Sequence, residues 1–215
     1  MYSEVTNTPS DQRALLLING NPTTSSDYTS HQIMMGFAME YPSTYQHVIQ
    51  QWHGDAYAYL GNLMNITSRE LVKKLVVIGI NVNNFNFSTK PQSPLNKWLL
   101  TKGYLMDAKS LKDLCRTVLT AKYPRIFKAG KRNGLSYHWH DSRMARVVLK
   151  LSMLNQIPVI PVHDEFIHLP EHEQQVREWM AIAFQQITHA THAVINKTIV
   201  TSPPSIPPIP SICCL

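Results

Sequence analysis

Apolar residues recur along the chain with two periods, and each period predicts a different element. Residues 14–18 form a short apolar run closed by Asn19-Gly20-Asn21-Pro22, which reads as a strand and turn. After the polar junction Ser25-Ser26-Asp27-Tyr28-Thr29-Ser30, Ile33, Met34, Phe37 and Ala38 recur at i, i+1, i+4 and i+5. That spacing predicts a helix with one apolar stripe. Helical patterns follow around 55–63 and from near Ser68 to about Ile80. Residues 81–94 are rich in Asn, Ser and Pro and read as a loop. Helices fill 95–130, with breaks at Gly103 and Pro124.

A further helix is predicted over 141–155. Met144, Val147, Val148, Leu151 and Leu154 form its buried stripe, and Arg143, Arg146 and Lys150 lie on another face. Two apolar runs, 157–162 and 166–169, then flank His163-Asp164-Glu165, predicting a β-hairpin with a three-residue polar tip. Pro158 and Pro161 suit a strand with a free edge. Val176, Trp179, Met180, Ala183, Phe184 and Ile187 mark a strongly amphipathic helix. From Ser202 the tail has five prolines in nine residues, the pattern of an extended, unpacked segment. Residues 1–13 are polar and read as a frayed start.

Composition narrows this picture modestly. The 215 residues are 44% hydrophobic, enough for one core or for one domain with a smaller subdomain. The net charge of +6 fits a polyanionic partner without requiring one. Three cysteines, with Cys115 apart from Cys213 and Cys214, make no disulfide framework and suit a reducing, cytoplasmic compartment. No stretch reaches the length of a transmembrane helix, and the N-terminus has no signal-peptide core, so no membrane association is expected.

The candidate chemistry lies at the polar junctions. Asp164 and Glu165 at one hairpin tip repel each other unless a cation, a basic group or water compensates. A solvated turn satisfies that condition, and so does a metal site. Asp27, just before a helix, suits an N-cap. The succession of helix, strand, His163-Asp164-Glu165, strand and helix resembles the palm of family A DNA polymerases, whose hairpin carries His-Asp-Glu. Asp27-Tyr28-Thr29-Ser30 before a helix resembles the first palm motif of that family. Arg69-x-x-x-Lys73, at i and i+4 on one helical face, is similar to the fingers helix, and Asp55-Ala56-Tyr57 to the segment leading into it. Ile18-Asn19-Gly20 and Ile157-Pro158-x-x-Pro161-x-His163-Asp164 bring the likeness closest to the compact polymerase-like proteins of phages, plasmids and mobile elements. The resemblance runs from about Leu15 to Phe184 and rests on the order and spacing of its motifs.

The resemblance implies an α+β fold, with a palm of small antiparallel sheet on helices and a helical fingers-like subdomain. The implied boundaries are palm over 14–54 and 131–200, fingers over 55–130, and a disordered tail over 201–215. It implies template-directed nucleotidyl transfer with two Mg²⁺ ions, for which Mn²⁺ can substitute. Asp27, Asp164 and the Tyr28 carbonyl are the implied metal ligands, and Glu165 a supporting carboxylate. Lys73 and Arg69 would meet the triphosphate, with Gln32 and Asn81 also at the nucleotide. His163, His138, Arg143 and Arg146 would contact nucleic acid. The implied partners are a DNA primer-template and nucleoside triphosphates; because only 26 residues precede Asp27, the family's thumb does not fit, and the chain is a fragment of a longer polymerase, a protein that needs an accessory partner in place of the thumb, or a decayed copy. This chain also departs from the family. Val77 and Asn81 replace the aromatic residue and Tyr of the fingers helix, and Val82 the following Gly. Gln32 replaces the Glu that excludes a ribose 2′-hydroxyl, which opens the choice between DNA and RNA synthesis.

Two other functions fit the same residues. One is a non-catalytic nucleic-acid-binding remnant of a polymerase. The other is a metal-dependent hydrolase using some of the ten histidines, with His138-x-His140 as the chelating pair.

Overall fold

In the computed structural model, residues 7–128 and 130–202 are described. They form a mixed α+β protein, mostly helical, with small antiparallel sheets. The chain divides into two compact units: residues up to Gly54 together with those from His138 onward, and the insertion Asp55–Tyr137. The Pro-rich stretch 203–215, with Cys213 and Cys214, and residues 1–6 lie outside the described residues.

The first unit opens with the single helical turn α1 (Ser10–Arg13). The hairpin of β1 (Leu17–Ile18) and β2 (Asn21–Pro22) turns at Asn19 and Gly20, both left-handed, with φ of 52° and 80°. Paired left-handed residues match the twist of a two-residue hairpin. The strand expected over 14–18 is therefore only two residues long. Leu15 and Leu16 instead donate backbone bonds to Gln12 and Arg13, continuing the turn of α1. Next come β3 (Thr24–Asp27) and α2 (His31–Glu40). The predicted stripe Ile33, Met34, Phe37 and Ala38 is buried. Helix α3 (Pro42–Trp52) is not among the elements predicted above. Pro42 sits in its first turn, where a missing N–H costs nothing, and Tyr45, Val48 and Ile49 are buried.

The described residues of the insertion form helices joined by loops, the longest over 86–93 as predicted for 81–94. Helix α4 (Ala56–Met64) is capped by the Asp55 carboxylate, which accepts from the Tyr57 and Ala58 amides. Helix α5 (Arg69–Asn81) is capped by Ser68, α6 (Pro94–Thr101) by Ser93, and α7 (Ala108–Cys115) by Asp107. Each cap satisfies amides that the helix itself leaves open. A π-helical stretch, Arg116–Thr120, follows α7, and α8 (Pro124–Phe127) begins at the predicted proline break. Gly103 takes φ 72° at the other break. A Cβ on Gly79 would lie 2.4 Å from the Phe85 ring, so α5 can pack on Phe85 only where the side chain is absent. Burial pushes the Cys115 thiol up to about 12, which leaves it inert.

Helix α9 (Gly130–Leu154) starts well before the predicted residue 141. Gly130 and Gly134 hide its beginning, since glycine disfavours an isolated helix. Met144, Val148 and Leu151 are buried as predicted, but Val147 is half-buried and Leu154 is exposed, so the stripe is narrower than expected. Strands β4 (Ile160–Val162) and β5 (Glu165–His168) form the predicted hairpin. Its tip has two residues rather than three, because Glu165 pairs with both Val162 and Asp27. The sheet order is β3-β5-β4, so Pro161 occupies an edge strand, where its missing N–H is tolerated.

Helix α10 (Glu173–Thr188) buries Val176, Trp179, Met180, Ala183, Phe184 and Ile187 and packs on β3 and β5. A second hairpin follows, β6 (His192–Ile195) and β7 (Thr198–Thr201), turning through left-handed Asn196 and Lys197. It too is absent from the predicted elements.

Under the central sheet, Ser26 and His168 are fully buried and bonded to each other at 3.0 Å. His168 Nδ1–H donates to the Leu169 carbonyl at 2.9 Å, so its Nε2 accepts from the Ser26 hydroxyl and the ring is neutral. Burial lowers its pKa from the ordinary 6.5, and Glu173 and the Leu169 bond only partly oppose this. The unfolded chain therefore binds the proton more readily. The stabilising contribution is complete above about pH 6.5 and is lost as pH falls below it. His140, lowered by burial and by Arg143, acts in the same direction. Urea midpoints should fall between about pH 6.5 and 5, and the His168→Gln variant should show a shallower slope over that window.

Candidate active site

The β3–β5 pairing assembles the site. Asp27 lies directly opposite Glu165, and the Tyr28 N–H donates to the Asp164 carbonyl at 3.3 Å. Two of the predicted metal ligands, Asp27 and Asp164, are thus diagonal neighbours at one end of one sheet. They are more than 130 residues apart in sequence, and the register alone brings them together. Asp27 is exposed and Asp164 half-buried. His163, the other residue of the turn, is exposed and left-handed at φ 56°, a conformation a β-carbon disfavours.

The Asn196-Lys197 turn fixes the other side of the junction. The Asp27 N–H donates to Asn196 Oδ1, and the Asn196 N–H returns a bond to the Asp27 carbonyl, both at 2.9 Å. The Lys197 N–H donates to Thr29 Oγ1 at 2.8 Å, and Thr29 N–H to the Val194 carbonyl at 2.8 Å. Tyr28 bridges to Ile195. The backbone that carries Asp27 is therefore clamped between two hairpin ends. Gly54, at φ 77°, leaves room for Val194 at that second hairpin.

Glu165 has a partner of its own. Arg13 Nη2 meets Glu165 Oε2 at 2.7 Å, with both side chains about one-fifth exposed. Arg13 Nη1 donates to the Thr8 carbonyl at 2.7 Å. The start of the chain was expected to fray, yet this arginine ties Thr8 and α1 to the sheet. Arg13 also supplies the countercharge that facing carboxylates require, since Asp27 and Glu165 point to the same side of the strand pair. Sequence reading missed Arg13 because nothing near it in the chain signals a carboxylate partner.

Tyr28 is the buried underside of the junction. Its hydroxyl donates to the Met180 carbonyl at 2.6 Å, and its ring meets Phe166 edge-on and lies 6.0 Å from Phe184. Burial pushes the hydroxyl well above its usual pKa, and the Asp141 and Asp164 carboxylates push it further, so it remains a donor. Gln32 is half-buried in the first turn of α2. His31 beside it is buried and pairs with Asp141, another residue absent from the predicted set.

On α9, Arg143 lies over the exposed Trp139 ring at 4.7 Å, and Arg146 and His138 are exposed. Trp139 was not predicted, although its spacing to Arg143 is i, i+4. His138 and His140 stand two apart on a continuous helix, about 200° around the axis, so they cannot share one metal ion. This removes the chelating pair of the hydrolase alternative. The remaining predicted residues belong to the other unit. Arg69 donates from Nε to Asp55 at 2.9 Å and lies over the Tyr57 ring at 5.1 Å. Lys73 is exposed, Val77 is 40% exposed and Asn81 is exposed, so α5 has one open stripe at i, i+4, i+8 and i+12. Asn81 uses its amide to bond the Val77 carbonyl at 2.8 Å.

No protein-family model, curated protein or solved structure matches this chain. Among the described residues no helix is long and apolar enough to cross a membrane.

Replacing Arg13 by Met should expose the repulsion between Asp27 and Glu165. A double-mutant cycle with Glu165→Gln should give a coupling of about 1 kcal/mol, typical of a partly buried pair. Chemical denaturation of the four proteins measures it.

Proposed function

We propose that this chain is a polymerase-type palm with a fingers-like insertion, acting in template-directed nucleotidyl transfer. The observation that supports it most is the β3–β5 register, which sets Asp27 at a strand-to-helix junction beside Asp164 at a hairpin tip. The motif resemblance names the same two carboxylates from their order in the sequence.

The donor set fits Mg²⁺. Asp27, Asp164 and the Tyr28 carbonyl offer only oxygen, which this hard cation prefers, and it retains waters at sites with few protein ligands. A bound pair of such ions supplies charge neutralisation for the attacking 3′-oxygen and the departing pyrophosphate. Glu165 is committed to Arg13 and acts as a support rather than a ligand. His163, exposed on the tip, is free to approach a primer-end phosphate. Lys73 would neutralise charge on the triphosphate. Arg69 would hold phosphate oxygens only after its Asp55 bond is exchanged. Gln32 carries no charge to repel a ribose hydroxyl, so both deoxyribonucleotides and ribonucleotides remain substrates to test.

A second reading is a nucleic-acid-binding remnant without catalysis. It is favoured by the exposed α9 face, where Trp139, Arg143 and Arg146 offer stacking and phosphate contacts that need no carboxylate.

Primer extension with Mg²⁺ or Mn²⁺, comparing dNTPs with rNTPs, separates the two. The polymerase reading expects extension that Asp27→Asn and Asp164→Asn each reduce by at least about a thousandfold, an effect of the size seen when charge-stabilising groups are removed. Well-folded protein that extends no primer under any of these conditions sinks that reading. In the same protein, Arg143→Ala with Arg146→Ala should weaken single-strand binding and lower the salt slope by about one to two. A slope that does not change would remove α9 from the interface.

A further inference from the structure

We infer that His31 and Asp141 are positioning residues that hold the Asp27–Asp164 junction in register, an inference that rests on the polymerase-type reading of that junction. The backbone from Asp27 to His31 turns from strand to helix in four steps. Ser30, the last residue before α2, is left-handed at φ 54° and makes no side-chain cap. A junction of this kind persists only where surrounding contacts over-determine it. The hairpins clamp its strand end, at Asp27 and Thr29. Its helix end is held by His31.

The side chain of His31 is 3% exposed, and its Nε2 lies 3.0 Å from Asp141 Oδ1 on α9. A carboxylate only accepts, so Nε2 carries the hydrogen and donates it. The imidazole stacks on the Tyr28 ring, with centroids 4.6 Å apart and planes 20° from parallel. Tyr28 is itself pinned at its hydroxyl by Met180 and is joined through its amide to Asp164. A continuous path therefore runs from Asp141 through the imidazole and the Tyr28 ring to the residue next to Asp27, and from its amide to Asp164. Among the described residues His31 Nδ1 is buried without a hydrogen-bond partner. An apolar ring would pack on Tyr28 without that cost, and an apolar pair would replace a buried His–Asp contact at little loss of stability. What the apolar pair would lack is a directional bond between α9 and the start of α2. Neither residue touches substrate in this assignment; both act through Tyr28.

Two readouts on Asp141→Leu, His31→Phe and the double variant test this, all compared at matched thermal midpoints. The first is hydrogen exchange of the Tyr28 amide in metal-free protein, relative to the Phe166 amide within β5. The second is Mn²⁺ affinity. Each single change is expected to speed Tyr28 exchange at least tenfold and to weaken Mn²⁺ about tenfold, as loss of an outer-shell partner does. The double variant should be no worse than either single. Unchanged Tyr28 exchange in folded variants overturns the assignment, and so do single effects that simply add. Should wild-type protein bind no Mn²⁺, the metal reading of the junction fails, while the exchange result still decides the positioning role. Asp141→Leu removes the acceptor at a partly exposed position, so it carries the test if His31→Phe does not fold.

Discussion

The antiparallel pairing of β3 with β5 is the constraint on which the rest of the first unit depends. Side chains alternate between the two faces of a strand, so a slip of one residue would exchange them. The observed register buries Ser26, Phe166 and His168 against α10 and leaves Asp27 and Glu165 at the open end. The Ser26–His168 hydrogen bond makes the slipped alternative costly, because each group would lose its partner in the interior. A buried polar pair under the sheet thus specifies where the carboxylates stand above it. Structure and candidate chemistry are set by the same pairing.

Electrostatics then decides what the carboxylates can do. Asp27 faces Glu165 across the β3–β5 pair, Asp164 precedes Glu165 in the turn, and Asp141 lies on α9. Glu165 is paired with Arg13 and Asp141 with His31, each held by a side chain from elsewhere in the unit. A carboxylate with an arginine at 2.7 Å is a poor ligand, since a metal would have to displace a charge-assisted bond. On the proposed reading Glu165 is therefore a support, a distinction that the tripeptide alone does not draw.

Much of the fold was legible in the sequence, for identifiable reasons. The 3.6-residue stripes of α2 and α10 are local signals, and those helices lie where the signals put them. The β4–β5 hairpin was legible from its two apolar runs. Helix α3 was missed because its apolar positions Tyr45, Val48 and Ile49 are sparse among polar residues. The β6–β7 hairpin had a readable signature, in the β-branched runs on either side of Asn196-Lys197, and only a search for turns would have found it. At the site, Asp27 and Asp164 could be named from motifs. Arg13, His31 and Asp141 could not, because their roles exist only through partners 152 and 110 residues away. Pairings of that range leave no local pattern.

The departures on α5 bear on the proposed nucleotidyl transfer. Asn81 bonds the Val77 carbonyl, so its side chain is turned along its own helix rather than outward. Val77 is exposed but small. Neither offers the flat π surface on which a nascent base pair stacks. Arg69 is likewise spent on Asp55 and Tyr57. Lys73 alone on this stripe retains an exposed charge with no such commitment among the contacts described here. The open face of α5 is therefore suited to attract a polyphosphate more than to grade the shape of a base pair.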